Sequence, residues 1–211
     1  EVKQQVDRLA AGLQRAGINK GDRIGVLGKN SLEYFLLYGA AAALGAIILP
    51  INWRLSAEEA IFNLNDGAPR LLFVDAEYQT MIHGVKSRLP SVKRYFNLKP
   101  PGGQFDDFST LSPISPGFQP GQIGDADGLV IIHTAAVAGR PRGALLSHRN
   151  FISANVQLNL LMHLSPSDVH LNLLPLFHVG GLFMATMSFH AGALNVNRSK
   201  FDAAQAVEWS A

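Results

Sequence analysis

The chain contains no cysteine among its 211 residues, so disulfides, thiolate metal sites and a cysteine nucleophile are excluded, and a cytoplasmic setting is the natural expectation. Charge is scarce as well. Only 16% of residues are Asp, Glu, Lys or Arg, against 47% hydrophobic, and such a composition requires most segments to be covered on more than one side. Lys and Arg exceed Asp and Glu by two without clustering, which argues against a nucleic-acid partner. The seven histidines show no HExxH spacing and no clustered carboxylates, so a metalloenzyme built on histidine is not expected. No G-x-S-x-G elbow offers a serine nucleophile. The run GKNS at 28–31 follows a strand and precedes a helix as a Walker loop would, but Arg23 stands where the first glycine belongs, and the run reads as a plain helix start.

What is present is an alternation of helical and strand patterns. EVKQQVDRLAAGLQ is an amphipathic helix with Val2, Val6, Leu9 and Leu13 on one stripe, not a secretory signal. The chain opens on Glu rather than Met, so further residues upstream are expected. Residues 34–51, YFLLYGAAAALGAIILPI, form a charge-free run of membrane-span length, but Gly39, Gly45 and Pro50 divide it into a helix and a buried strand, and no transmembrane span is expected. RIGVLG, AIILPI, LLFVD and VKRYFNL read as strands, separated by a helix capped at Asn30 or Ser31, a helix running from its cap Ser56 to Gly67, and a helix in EYQTMIHGVKSRL. Residues 99–128 form a long loop rich in Pro and Gly, the candidate boundary between a first portion, 1–98, and a second, 129–211. Beyond it come strands in GLVIIHT, RGALLSH and VHLNLLP, and helices in RNFISANVQLNLLMH and GGLFMATMSFHAGA. Strands that are apolar throughout, alternating with helices, indicate an α/β fold with a mostly parallel sheet flanked by helices.

The stretch HTAAVAGRPRGALLSHRN, 133–150, has the outline of a phosphate-holding loop, with Gly139, Pro141 and Gly143 spaced as a turn around a cation, Arg142. Its first half is short of hydroxyls. An ordinary strand-turn-strand connection would also fit it. Together with its flanks, however, the run resembles the phosphate loop of the adenylate-forming superfamily of acyl-CoA synthetases and luciferases, approximately YTSGTTGxPKGxxxSHxN. Three further segments agree in order: GDRIGVLGKNSLEYFLLYGAAAALGAIILPINWRLSAEE, LLFVD, and LPLFHVGGL, which resembles the motif that supplies a histidine near the acyl pocket.

The resemblance implies the N-terminal AMP-binding domain of an acyl-CoA ligase, residues 1–211 forming part of it. Its reaction joins a carboxylic, here expectedly fatty, acid to ATP and then passes the acyl group to coenzyme A. Thr134 would assist Mg2+; Thr134, Ala135, Ala136, Val137, Ala138, Gly139, Arg140, Pro141, Arg142 and Gly143 would line the nucleotide phosphates; His178 would border acyl chain and nucleotide. Departures are plain: Ala135, Val137 and Ala138 replace hydroxyls, Ala136 replaces a glycine, and Arg142 replaces lysine. Arg140 is expected to face solvent, and Arg54 to tie its turn to a carboxylate. The resemblance puts the adenine-binding segment, the magnesium-binding glutamate, the ribose-binding aspartate and a C-terminal lysine beyond Ala211, so the chain by itself is not expected to catalyse, and its uncovered apolar surface is expected to self-associate. Peptide-synthetase adenylation domains are a near alternative, disfavoured by INWRLS; a catalytically silent relative that binds a ligand or partner is the other, favoured by AAVA.

Overall fold

The computed structural model describes residues 1–100, 102–111, 118, 120–135 and 139–209. After helix α1 (Val2–Arg15), strands β1 (Arg23–Leu27), β2 (Ile47–Ile51), β3 (Leu71–Val74) and β4 (Arg94–Asn97) alternate with helices α2 (Leu32–Leu44), α3 (Ala57–Gly67) and α4 (Gln79–Val85). Strands β5 (Gly128–His133) and β6 (Gly143–Ser147) then join the same sheet, whose order is β4-β3-β1-β2-β5-β6. Its strands pair in parallel except for β5 with β6, which form an antiparallel hairpin. Helix α5 (His148–Met162) leads to β7 (Val169–Asn172), helix α6 (Val179–His190) and β8 (Leu194–Asn197), with β7 and β8 forming a separate parallel pair before α7 (Ala203–Trp209).

The central strands β1, β2 and β3 are covered on both faces, which is why they are apolar almost throughout rather than at alternate positions, whereas the edge strand β6 is exposed over Gly143–Leu145. Ile24, Val26, Ile48, Leu71 and Phe73 pack with Leu9 and Leu13 of α1, Leu37 of α2, Phe151 of α5 and Leu182 of α6. Their sequence neighbours Leu27, Leu49, Ile51, Leu72 and Val74 point the other way, onto Ile61 and Leu64 of α3 and Ile82 of α4. The charge-free run 34–51 resolves into α2 and β2, with Gly45 in the left-handed region at the C-cap (φ 70°). No helix of the described residues is long and apolar enough to cross a membrane.

Three details differ from the expectations. Gly67 is the last residue of α3 rather than its left-handed terminator: Ala68 takes that conformation (φ 46°). Gly67 is glycine because a Cβ there would sit 2.4 Å from Leu49 Cδ2 on β2. Strand β8 and helix α7 have no counterpart in the sequence reading; LNVN is short and half polar, and its pairing depends on β7, twenty-five residues earlier in register.

The two halves are tied at the end of β1. Ser31 caps α2 by accepting the Tyr34 N–H at 3.1 Å. The preceding Asn30 is buried and reaches across to the segment before α6, donating to the Leu174 carbonyl at 2.9 Å and accepting the Leu176 N–H at 2.7 Å. Tyr38 of α2 adds a hydrogen bond from its hydroxyl to the Leu176 carbonyl at 3.0 Å, and burial raises this phenol, which stays neutral and able to donate. Asn30→Ala would leave the buried Leu176 N–H without its acceptor and the Leu174 carbonyl without its donor, so a loss of about 1–3 kcal/mol is expected in denaturant unfolding, with Asn30→Asp, which would set a buried carboxylate oxygen against the Leu174 carbonyl, costing at least as much.

His148, at the start of α5, and His170, on β7, each bury Nε2 without a partner, and burial pushes both imidazoles below their ordinary range, Asp127 opposing this in part for His148. The unfolded chain therefore binds more protons, so this contribution to stability is present above about pH 6.5 and is lost as pH falls through the folded-state values. The melting temperature is expected to drop between about pH 7 and about pH 5, with a shallower drop in His170→Phe.

Candidate functional site

Because β1, β2 and β5 run in parallel, their carboxyl ends share one edge of the sheet. The connections leaving β1 and β2 depart to opposite faces, α2 on one and α3 on the other, which is the arrangement that opens a crevice at strand ends. A cavity of about 1010 Å³ lies there, lined by Lys29 and Asn30 after β1, Trp53 and Arg54 after β2, and His170 and Pro175 from the β7 side. Trp53 organises its wall: the Arg54 guanidinium lies 4.7 Å and the Lys29 ammonium 5.4 Å from its ring centre, and Phe177 meets it edge-on at 6.3 Å. Lys29 also pairs with Glu77 at 2.6 Å. Among the described residues Arg54 therefore has no carboxylate partner for its turn. It lies over Trp53 and, at 5.9 Å, over Phe177, where a weakly hydrated planar cation gains from the ring faces.

At the end of β5 the chain turns back into β6 through residues 134–142. The turn is closed at its neck by the Thr134 N–H, which donates to the Arg142 carbonyl at 3.0 Å, and by the Arg142 N–H, directed at the Thr134 hydroxyl at a long 3.4 Å. Thr134 and Ala135 are exposed, and Gly139 sits in the left-handed region (φ 86°). Ala136, Val137 and Ala138 lie outside the described residues. The two arginines differ. Arg140 is exposed, and its guanidinium also lies 5.5 Å from the ring centre of Phe62 on α3. Arg142 is exposed, and among the described residues its guanidinium has no partner. Pro141 between them is half-buried. Gly143 opens β6 at a crowded point: a Cβ would lie 2.8 Å from Ile131 Cγ2, 3.3 Å from Asp66 Oδ2 and 3.4 Å from His133 Nε2. The last two atoms are themselves 2.9 Å apart, an unforeseen contact between α3 and the end of β5.

The SHRN end of the same stretch has a structural task. Ser147 and Asn150 form a reciprocal capping box at the start of α5, the serine hydroxyl accepting the Asn150 N–H and the asparagine side chain accepting the Ser147 N–H. His178 is the N-cap of α6, its Nδ1 accepting the Gly180 N–H at 3.1 Å while the ring stays exposed. A neutral His178 ring in this role carries its proton on Nε2, which is left to donate outward. The glycine pair after it follows from packing, since a Cβ on Gly181 would lie 2.3 Å from the Pro175 carbonyl oxygen. The structure thus shows His178 as a satisfied turn histidine on Nδ1, with Nε2 left on the exposed side of the ring. Among the described residues no group of three or more His, Asp or Glu side chains could close around a metal ion.

Residues 1–210 match the AMP-binding enzyme family. An indoleacetate–CoA ligase of Aromatoleum aromaticum is 36% identical over 94% of this chain and 39% of its own length. A fatty acid–[acyl-carrier-protein] ligase, ScoC, of Streptomyces coeruleorubidus is 30% identical over 99% of this chain and 40% of its own. The chain therefore spans about 40% of the length of these curated relatives. Among solved structures, one named for a long-chain-fatty-acid CoA ligase from Rhodopseudomonas palustris superposes with a TM-score of 0.91 at 43% identity, over 97% of this chain and 51% of that one. With the family matched over nearly its whole length, and with its parallel sheet and carboxyl-edge loop in place, the chain belongs to the AMP-binding enzymes.

Proposed function

We propose that this chain is part of an ATP-dependent acid–thiol ligase that activates a carboxylic acid, a fatty acid being the preferred class, and passes the acyl group to coenzyme A. In the first step a carboxylate oxygen attacks the α-phosphorus of ATP, and the bond to the bridging oxygen breaks to release pyrophosphate. In the second, a thiolate attacks the acyl carbon and AMP leaves. The family assignment supports this class of reaction, and the names of the relatives include both coenzyme A and carrier-protein acceptors.

The observation that carries the reading is the hairpin turn at the carboxyl end of β5, closed at its neck by Thr134 and Arg142, with the Arg142 guanidinium unpaired among the described residues. Within 134–143, the backbone N–H groups other than those of Thr134 and Arg142, which close the neck, and Pro141, which has none, would be offered to phosphate, supplemented by one guanidinium in place of the missing hydroxyls. His178 would donate from Nε2 toward the nucleotide or the acyl group, and the cavity lined by Trp53, Leu171 and Met184 would take apolar substrate. A Mg2+ ion entering with nucleotide keeps waters and phosphate oxygens as most of its ligands, so the single exposed hydroxyl of Thr134 fits as one ligand and the described residues offer no cage beyond it. Bound there, the ion would supply neutralisation of phosphate charge.

Arg142→Ala, made in the complete reading frame that carries this chain, is expected to weaken ATP binding by roughly ten- to a hundredfold, the equivalent of a lost charge-assisted hydrogen bond or two. Arg140→Ala, which removes only a stacking contact on Phe62, is expected to cost no more than about fivefold. Equilibrium ATP binding checks both. Equal effects, or a parent protein that neither binds ATP nor forms an adenylate with any carboxylic acid, would favour the silent relative suggested by the alanine-rich turn.

The 211-residue chain by itself is expected to catalyse no ATP–pyrophosphate exchange. It exposes Leu160, Leu161, Val169, Leu194, Phe201 and Val207, and apolar surface on that scale favours self-association. Sedimentation across a concentration series, with a hydrophobic dye as second probe, tests this; a strict monomer that binds no dye would count against it.

A further inference from the structure

We propose that Asp66 and His133 form a brace outside the 134–142 turn that positions it for nucleotide, so that helix α3 does from beneath the work that the turn's own side chains leave undone. The proposal rests on the nucleotide reading of the turn. Its basis is where the two residues lie. His133 is the last residue of β5, directly before Thr134, and its side chain is 5% exposed. Its Nε2 lies 2.9 Å from Asp66 Oδ2, across 67 positions of sequence. As a neutral ring it must present Nε2–H to this carboxylate, which leaves Nδ1 as a buried acceptor without a partner and fixes which way the imidazole faces.

A second tie lies on the same side of α3. Phe62 and Asp66 are one helical turn apart and share a face; Phe62 carries the guanidinium of Arg140 while Asp66 holds His133. The turn is thus fastened to one helix at its outgoing and returning ends. Gly143 completes the arrangement, because a Cβ there would crowd both Asp66 Oδ2 and His133 Nε2. The glycine that closes the motif in the sequence is the residue that leaves room for the brace. In a turn with hydroxyls, hydrogen bonds within the turn can hold its shape. Here Ala135 has none and the Thr134 hydroxyl sits at the neck, so the described ends of the turn are held by the Thr134–Arg142 neck together with the contacts to α3. Asp66 and His133 are positioning residues, acting through the turn and not on the substrate.

The test has two arms. In the 211-residue chain without nucleotide, His133→Phe and Asp66→Ala are expected to raise amide deuterium exchange across 134–142 by about tenfold, the scale of one ordinary hydrogen bond, while exchange in β1 and β3 stays at its parent level. His133→Gln, whose side-chain amide can still donate to Asp66, is expected to restore protection. In the complete reading frame, the first two variants should raise the KM for ATP by about tenfold, leave the KM for the acid unchanged and lower kcat little, again with rescue by His133→Gln. Unchanged exchange in both variants would overturn the brace, whatever the nucleotide result. Increased exchange with an unmoved KM for ATP would also overturn it, since the contact would then be structural only. A parent protein that binds no ATP would instead remove the function proposed above, and the exchange arm would still decide whether α3 fastens the turn.

Discussion

A sheet whose two faces are both covered has only its edges and strand ends left for chemistry. That constraint governs this molecule. Ile24, Val26 and Phe73 are committed to one layer of helices, and Leu27, Leu72 and Val74 to the other, so no strand of the sheet's centre can spare a side chain for a ligand. The parallel direction of β1, β2 and β5 then gathers their outgoing turns at one edge. Lys29, Trp53, Arg54 and Thr134 are neighbours of strand ends for this reason, although they are scattered across more than a hundred positions of sequence.

The motif segments do more structural work than their resemblance suggested. GKNS is a helix start, yet its asparagine is also the buried link that holds the segment before His178. Ser147 and Asn150 form a helix cap. Gly181 permits the first turn of α6 to lie against Pro175, and Gly143 permits β6 to begin beside Asp66 and His133. Each is a residue type that chemistry at the site could have demanded, and each also answers to a nearby contact. The two demands coincide because a site built at strand ends is also where strands become helices, and that is where caps and close approaches are needed.

Much of the architecture was legible. Continuous apolar strands implied burial on both faces, Asn30 or Ser31 and then Ser56 marked helix starts that Ser31 and Ser56 cap, and of the three residues expected to divide the run of membrane-span length Gly45 does so in the left-handed conformation, while Gly39 lies within α2 and Pro50 within β2. The reading was weaker toward the end of the chain. LNVN carries little apolar signal, so β8 follows from its parallel partner and not from its own pattern. At the site, the turn at 134–142 was marked by its glycines and proline, but the fates of its arginines were not: Arg140 and Arg142 differ only in what lies near them, and Phe62 is far away in sequence. The charge of Arg54, visible in sequence, points to an ion pair, whereas the face of Trp53 and the arrival of Phe177 are not visible there.

The sequence by itself determined the local rules: which segments are helical, which strands must be covered twice, and where the backbone can turn sharply. These depend on periodicity, capping and glycine, all of which act within a few residues. Tertiary structure alone decided which of the marked residues meet. Asp66 with His133, Asn30 with Leu174 and Leu176, and Phe62 with Arg140 are pairs separated by 67 to 146 positions. Nothing local distinguishes an aspartate near the end of a helix from any other exposed carboxylate. Its role appears only when the order of strands places β5 beside β2 and sets β6 against α3, because hydrogen bonds and stacking act over a few ångströms of space and take no account of distance along the chain.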